Sequence, residues 1–118
     1  MIKRSLDMEE ELREQMRGGK GAVKITHVFQ ANELQGACRL LAKITLEPGC
    51  SIGKHLHQNE EEIFYIMRGT ALIDDDGTEA VLHAGDAVVT GGGGFHAVEN
   101  SGSETLEMMA VILLYPQG

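Results

Sequence analysis

Residues 49–69 read GCSIGKHLHQNEEEIFYIMRG, and the fold and the chemistry both turn on them. On a β-strand, side chains two positions apart share a face. His55 and His57 therefore converge on one point and can offer two imidazole nitrogens to one metal ion. An acid a few residues on can add a carboxylate oxygen once the chain reverses. On spacing alone Glu60, Glu61 and Glu62 are equal candidates. Phe64 and Ile66 share the face of Glu62 and are expected to wall a pocket, while Tyr65 turns away. Lys54 alternates with His55 and also points away.

Period-two patterning extends outward on both sides. In VKITHVF, Val23, Ile25, His27 and Phe29 fall on one face. Cys38, Leu40, Ala42, Ile44 and Leu46 then alternate with Arg39, Leu41, Lys43 and Thr45 until Pro48-Gly49 breaks the strand. Further strands are predicted at 52–57, 62–68, 70–74, 79–83, 87–89, 95–99 and 105–115. The turns between them include DDDG at 74–77 and NSGS at 100–103. DDDG is read as a hairpin turn, because calcium-loop ligand spacing is missing. Many short strands without intervening helices predict an all-β antiparallel sandwich or barrel.

Before residue 22 the pattern is helical. DMEEELREQMR at 7–17 offers Asp7 and Glu10 as a capping box, a stripe of Met8, Leu12 and Met16, and an i, i+4 pair of Glu9 with Arg13. Gly18 and Gly19 would stop this helix. The chain is thus divided into 1–21, a short N-terminal helix with a Gly-rich linker, and 22–118, the barrel.

Composition narrows the function. The net charge is −8, and every Lys and Arg lies at or before Arg68. No basic stripe is available to neutralise phosphates, so no nucleic acid is expected as a partner. An anionic membrane surface would be repelled, and no apolar run nears the roughly 20 residues of a membrane span. The charged start lacks a signal-peptide core, and Cys38 and Cys50 form no CxxC pair. A cytoplasmic location with reduced thiols is expected.

Two longer spacings sharpen the metal reading. Gly49, five residues, His55, one residue, His57, four residues, Glu62, six residues, Gly69 resembles the first motif of the cupin superfamily. Gly85, five residues, Gly91-Gly92-Gly93, two residues, His96, three residues, Asn100 resembles the second, with fifteen residues at 70–84 between the two. The resemblance covers 49–100. It implies a double-stranded β-helix, or jelly-roll cupin barrel, with His55, His57, Glu62 and His96 as ligands of one divalent transition metal. Three imidazoles and a carboxylate suit Mn, Fe, Co, Ni or Zn and leave positions open for water or substrate. Metal and carboxylate together would carry a charge of about +1, which favours an anionic ligand. One departure stands out. The second motif usually has proline where this chain has Gly91, and four glycines at 91–94 precede His96. Either close backbone approach requires them, or the loop is mobile.

The resemblance implies a metal-dependent enzyme acting on a small polar or anionic metabolite, of isomerase, lyase, decarboxylase or dioxygenase type. Its alternative is a non-catalytic binding or sensing barrel. Arg39, Lys43 and Arg68 are candidates to hold an anionic ligand, and Glu60 and Glu61 are the neighbouring carboxylates. His27 is read as a hydrogen-bonded core or interface residue, His83 as exposed, and Asn100 as a structural turn residue. A homodimer is expected, with the apolar face of Cys38, Leu40, Ala42, Ile44 and Leu46 supplying surplus surface.

Overall fold

The computed structural model describes residues 1–117. Ten strands form two antiparallel sheets. They are β1 (Glu9–Glu14), β2 (Ala22–Phe29), β3 (Cys38–Leu46), β4 (Ser51–Leu56), β5 (Glu60–Arg68), β6 (Thr70–Asp75), β7 (Thr78–His83), β8 (Ala87–Gly91), β9 (Phe95–Asn100) and β10 (Leu106–Leu114). One sheet runs β1-β2-β3-β10-β5-β8 and the other β4-β9-β6-β7. This is the expected all-β jelly roll. Between the layers lie aliphatic side chains from both, among them Val23, Ile44, Leu46, Ile66, Ile73, Val98, Leu106 and Met108. The sequence has no Trp, and Phe64 is the one Phe in this buried core.

The helix predicted at 7–17 is absent. Those residues form β1, flanked by 3-10 turns at Ser5–Asp7 and Met16–Gly18. An eleven-residue helix with a thin apolar stripe is marginal by itself. As a strand the same segment pairs with β2 over six residues, from Glu9 opposite His27 to Glu14 opposite Ala22. A hydrogen bond between His27 and Glu11 and an ion pair of Lys24 with Glu10 reinforce the ladder. Leu12, central to the expected stripe, is exposed. Tertiary pairing has overridden local propensity, and the charged side chains of β1 make a poor template for further strand addition.

Two bulges reset which side chains face inward. In β4, Ile52 pairs with Val98 and His55 with His96, so Gly53 and Lys54 stand opposite Ala97 alone. Without that extra residue, Ile52 and His55 would lie on opposite faces. In β3, Leu40 pairs with Ile112 and Cys38 with Leu113, which leaves Arg39 unpaired. A third irregularity, between His27 and Phe29, brings Phe29 opposite Leu41 instead of keeping it with Val23 and Ile25.

The face of Ala42, Ile44 and Leu46 is fully committed to the interior, so it offers no spare surface to a second copy. The opposite face of the sheet does. Phe29, Leu41, Val111, Ile63 and Val89 form a registered row across five strands, with Met109 and Tyr65 beside it. Val89 is 55% exposed and Tyr65 48%. The DDDG segment is the β6–β7 hairpin turn, closed by the Gly77 amide donating to Asp74 Oδ1. Asn100 donates to the Leu46 and Glu104 carbonyls and accepts from the Gly102 amide, as a structural turn residue should. Cys38 and Cys50 are free thiols. Among the described residues, no helix is long and apolar enough to cross a membrane.

Candidate metal centre

The two sheets meet over a cluster of His55, His57, Glu62 and His96. His55 lies on β4, His57 just beyond its end, Glu62 on β5 and His96 on β9. His57, Glu62 and His96 are buried, and one potential ligand atom from each of the four lies within 4.8 Å of the others. Glu62 Oε1 is 2.9 Å from His57 Nε2 and 3.0 Å from His96 Nε2. His96 Nε2 is in turn 3.0 Å from His57 Nε2 and 3.2 Å from His55 Nε2.

The outer nitrogens fix what the inner ones offer. His57 Nδ1 lies 2.5 Å from Glu60 Oε2. Arg39, first, and then His57 hold the Glu60 carboxyl down at about 2 despite its burial, so it is an acceptor and His57 Nδ1 carries the proton. His55 Nδ1 donates to the Gly53 carbonyl at 2.8 Å. In the neutral rings, Nε2 of both histidines is then a bare lone pair facing Glu62 and His96. Lone pairs at 3 Å repel unless a proton or a cation lies between them. A single proton cannot serve four atoms, whereas one divalent ion can. The donor set therefore fits a metal. Phe64 stacks on the His96 ring at 4.8 Å and 10°, which holds it in place. His96 Nδ1 is buried without a hydrogen-bond partner.

Without metal the cluster shares protons. Hydrogen bonding to Glu62 raises the His57 pKa above its usual value, against burial and with help from Glu60. Burial works to raise that of Glu62, but hydrogen bonds from His57 and His96 bring it below the usual carboxylate value. Burial pushes His55 down.

Close approach explains Gly91, and left-handed backbone explains Gly92 and Gly93. A Cβ on Gly91 would meet the Glu60 carbonyl and the Glu61 Cβ at 2.5 Å. The Gly93 amide donates to the His57 carbonyl, and the His57 amide donates to the Gly94 carbonyl. Gly92 and Gly93 have φ of 66° and 91°. The loop thus clamps the backbone of His57 through bonds that proline in this segment would weaken.

A cavity of about 100 Å³ opens onto the cluster, lined in part by Phe64, Leu40, Arg39, Met16, Arg17 and Arg13. Ile66, expected beside Phe64, belongs to the core instead. Of the three proposed anion holders, Lys43 and Arg68 pair with Glu107 away from the cavity. Arg39 lines it and grips both oxygens of Glu60, at 2.7 and 2.8 Å. Spacing alone could not reveal that Glu60 supports His57, because Glu60, Glu61 and Glu62 are consecutive. Arg13 and Arg17 carry no sequence signal of a place in the site, because the 7–17 segment is predicted to be a helix. His27 is mostly buried and 2.8 Å from Glu11, and His83 is exposed, both as expected.

Comparison with known proteins agrees with this fold. Residues 42–112 match the family described as Cupin domain. An oxalate-binding protein of Thermotoga maritima is 40% identical over 97% of this chain and 94% of its own. The crystal structure of a predicted oxalate decarboxylase from Thermotoga maritima superposes with a TM-score of 0.91 at 39% identity, over 97% of this chain and 99% of that one. The cupin domain of Schizosaccharomyces pombe Cnp3 shares the fold alone, at TM-score 0.72 and 12% identity over 88% and 68% of the two chains.

Proposed function

The chain belongs to the cupin family, and from that premise we propose that it holds one divalent metal ion on His55, His57, Glu62 and His96 and, on that ion, a small carboxylate dianion of the oxalate kind. The convergence of bare nitrogen lone pairs on a buried carboxylate carries the first half. The relative named for oxalate binding, the arginine-lined mouth and the cavity size support the second. At about 100 Å³ the cavity is far below the roughly 300–1,000 Å³ of sites for drug-sized ligands, so the ligand has few heavy atoms. When bound, the metal would supply Lewis acidity toward ligand oxygens.

Ligand spacing bears on the choice among Mn, Fe, Co, Ni and Zn. The four short contacts, 2.9–3.2 Å, match donors at right angles around an ion with bonds of about 2.1 Å, which lie about 3.0 Å apart. Tetrahedral donors at that bond length would be about 3.4 Å apart. Six-coordinate Mn, Fe, Co or Ni is therefore preferred, with open positions for a chelating ligand.

Binding is favoured over proton-transfer catalysis by what surrounds the cavity. Among the described residues, its carboxylates are already engaged: Glu62 in the cluster, and Glu11 with His27 and Arg13. Glu60 behind His57 is likewise held by Arg39. None is left to exchange a proton with a ligand. The likeness to a predicted oxalate decarboxylase keeps metal-dependent cleavage of the bound dianion as the second reading. A homodimer built on the outward row of Phe29, Leu41, Val111, Ile63 and Val89, and a cytoplasmic setting consistent with the free thiols, complete the proposal.

The test is elemental analysis of the purified protein followed by calorimetric titration of the manganese-loaded form with oxalate, while carbon dioxide release is monitored. Stoichiometric metal, saturable oxalate binding and no carbon dioxide support a binding protein. Release of carbon dioxide supports the decarboxylase reading. Metal that survives intact in His55→Ala, or no thermal stabilisation by any divalent ion, would sink the metal site.

A further inference from the structure

Three arginines line the cavity, and two are already paired. Arg39 binds Glu60, and Arg13 lies 3.2 Å from Glu11. Among the described residues, Arg17 has no carboxylate within ion-pair reach. It is the free cation on the wall of a pocket whose metal floor would attract an anion.

The backbone beneath Arg17 shows that its side chain is kept at a cost. Arg17 has φ 55° and Gln15 φ 51°, in the left-handed region where a non-glycine residue costs on the order of 1–3 kcal/mol. A segment that needed only to turn would take glycine there, as it does at Gly18 and Gly21. Contacts with β4 hold the strained shape. The Ser51 amide donates to the Lys20 carbonyl, and the Lys20 amide donates to Ser51 Oγ, both at 2.8 Å. Gly53, whose carbonyl accepts a hydrogen bond from His55 Nδ1, has no Cβ and so admits the Arg17 carbonyl against its backbone. The turn bearing Arg17 is therefore fastened to the strand bearing His55.

We propose that Arg17 is the specificity-determining cation of the site, receiving the carboxylate that projects toward the mouth when the other end of a small dianion sits on the metal. The inference rests on the reading that the metal holds such a ligand. It assigns the N-terminal arm, outside the barrel motifs, the task of distinguishing dianions from monoanions. Arg17 is exposed but lines the cavity, so its charge-assisted contact would be made to a ligand whose other end the metal fixes.

The test is Arg17→Gly, which removes the cation and relieves the left-handed strain together. Metal-loaded wild type and variant are titrated with oxalate and with acetate, alongside metal analysis and thermal melting. The expected result is oxalate affinity reduced about tenfold or more, acetate affinity within about twofold, unchanged metal content and a melting temperature no lower than wild type. Arg17→Lys should recover part of the oxalate affinity. Oxalate binding within about twofold of wild type in Arg17→Gly would overturn the assignment while leaving the metal and ligand reading intact. So would equal losses for oxalate and acetate, or loss of metal, because either marks a structural role. A wild-type protein that takes up metal but no oxalate removes the ligand reading, and this inference falls with it.

Discussion

His57 donates a hydrogen bond from Nδ1 to Glu60 across 2.5 Å, and that contact decides which lone pair the ring presents to the cluster. The link is local, three residues apart, but Arg39 from β3 pins the far side of the carboxylate. Replacing Glu60 by Gln keeps the shape and removes the charge. Metal affinity is then expected to fall by about 10–100-fold, as is usual when the partner of a ligating histidine is lost. Competition with a chromophoric chelator measures it, and unchanged affinity would show that Glu60 does not orient the ring.

Proton sharing in the metal-free cluster gives a pH signature. The His57 pKa is raised in the folded protein by Glu62, so its contribution to stability is full below the unfolded value of about 6.5 and fades as pH rises through the folded one. His55, lowered by burial, acts below about 6.5 and stays out of this window. As pH rises above about 6.5 the metal-free protein should therefore lose stability. The metal-loaded form should not, since metal replaces that proton. The melting shift on adding manganese should grow with pH, and a shift that shrinks over this range would contradict the shared proton.

Gly91 should tolerate nothing larger. A methyl group at 2.5 Å from the Glu60 carbonyl must push β8 away from β5, beside the pair that supports His57. Gly91→Ala is expected to cost about 1–3 kcal/mol in stability and to weaken metal binding as well. Chemical denaturation with and without metal reports both effects. Wild-type stability in the variant would mean the loop relaxes freely.

Val89→Glu places a charge in the registered apolar row without touching the interior. Light scattering at micromolar protein should show a wild-type dimer and a monomeric variant with its metal content intact. A monomeric wild type, or a variant that remains dimeric, would remove this face as the interface.

His55 and His57 were legible because alternation on a strand is a local property. Glu62 and His96 needed the longer motif spacings, since three adjacent glutamates look alike and a histidine 39 residues from His57 carries no local mark. Strand placement was good because Gly, Asp and Asn punctuate the chain. Bulges were invisible: nothing in Gly53-Lys54 or Arg39 announces an extra residue, yet these positions bring His55 inward and leave Arg39 out of register. The N-terminal arm was misread because EEELRE has helical composition. Only pairing with the open edge of β2, the next strand in the chain, makes it a strand. The role of Arg17 was hidden by the same error.

Glu62 belongs to the larger sheet, and His55 and His96 to the smaller. An ion held by all three would tie the two layers together at the cluster. Its loss would free more than a coordination sphere. The hydrophobic layers would then be held at that end by side-chain packing alone, and their separation would meet less resistance. How long the folded chain survives should then follow the supply of metal, so that lifetime in a metal-poor medium, more than melting temperature in a rich one, sets its working range.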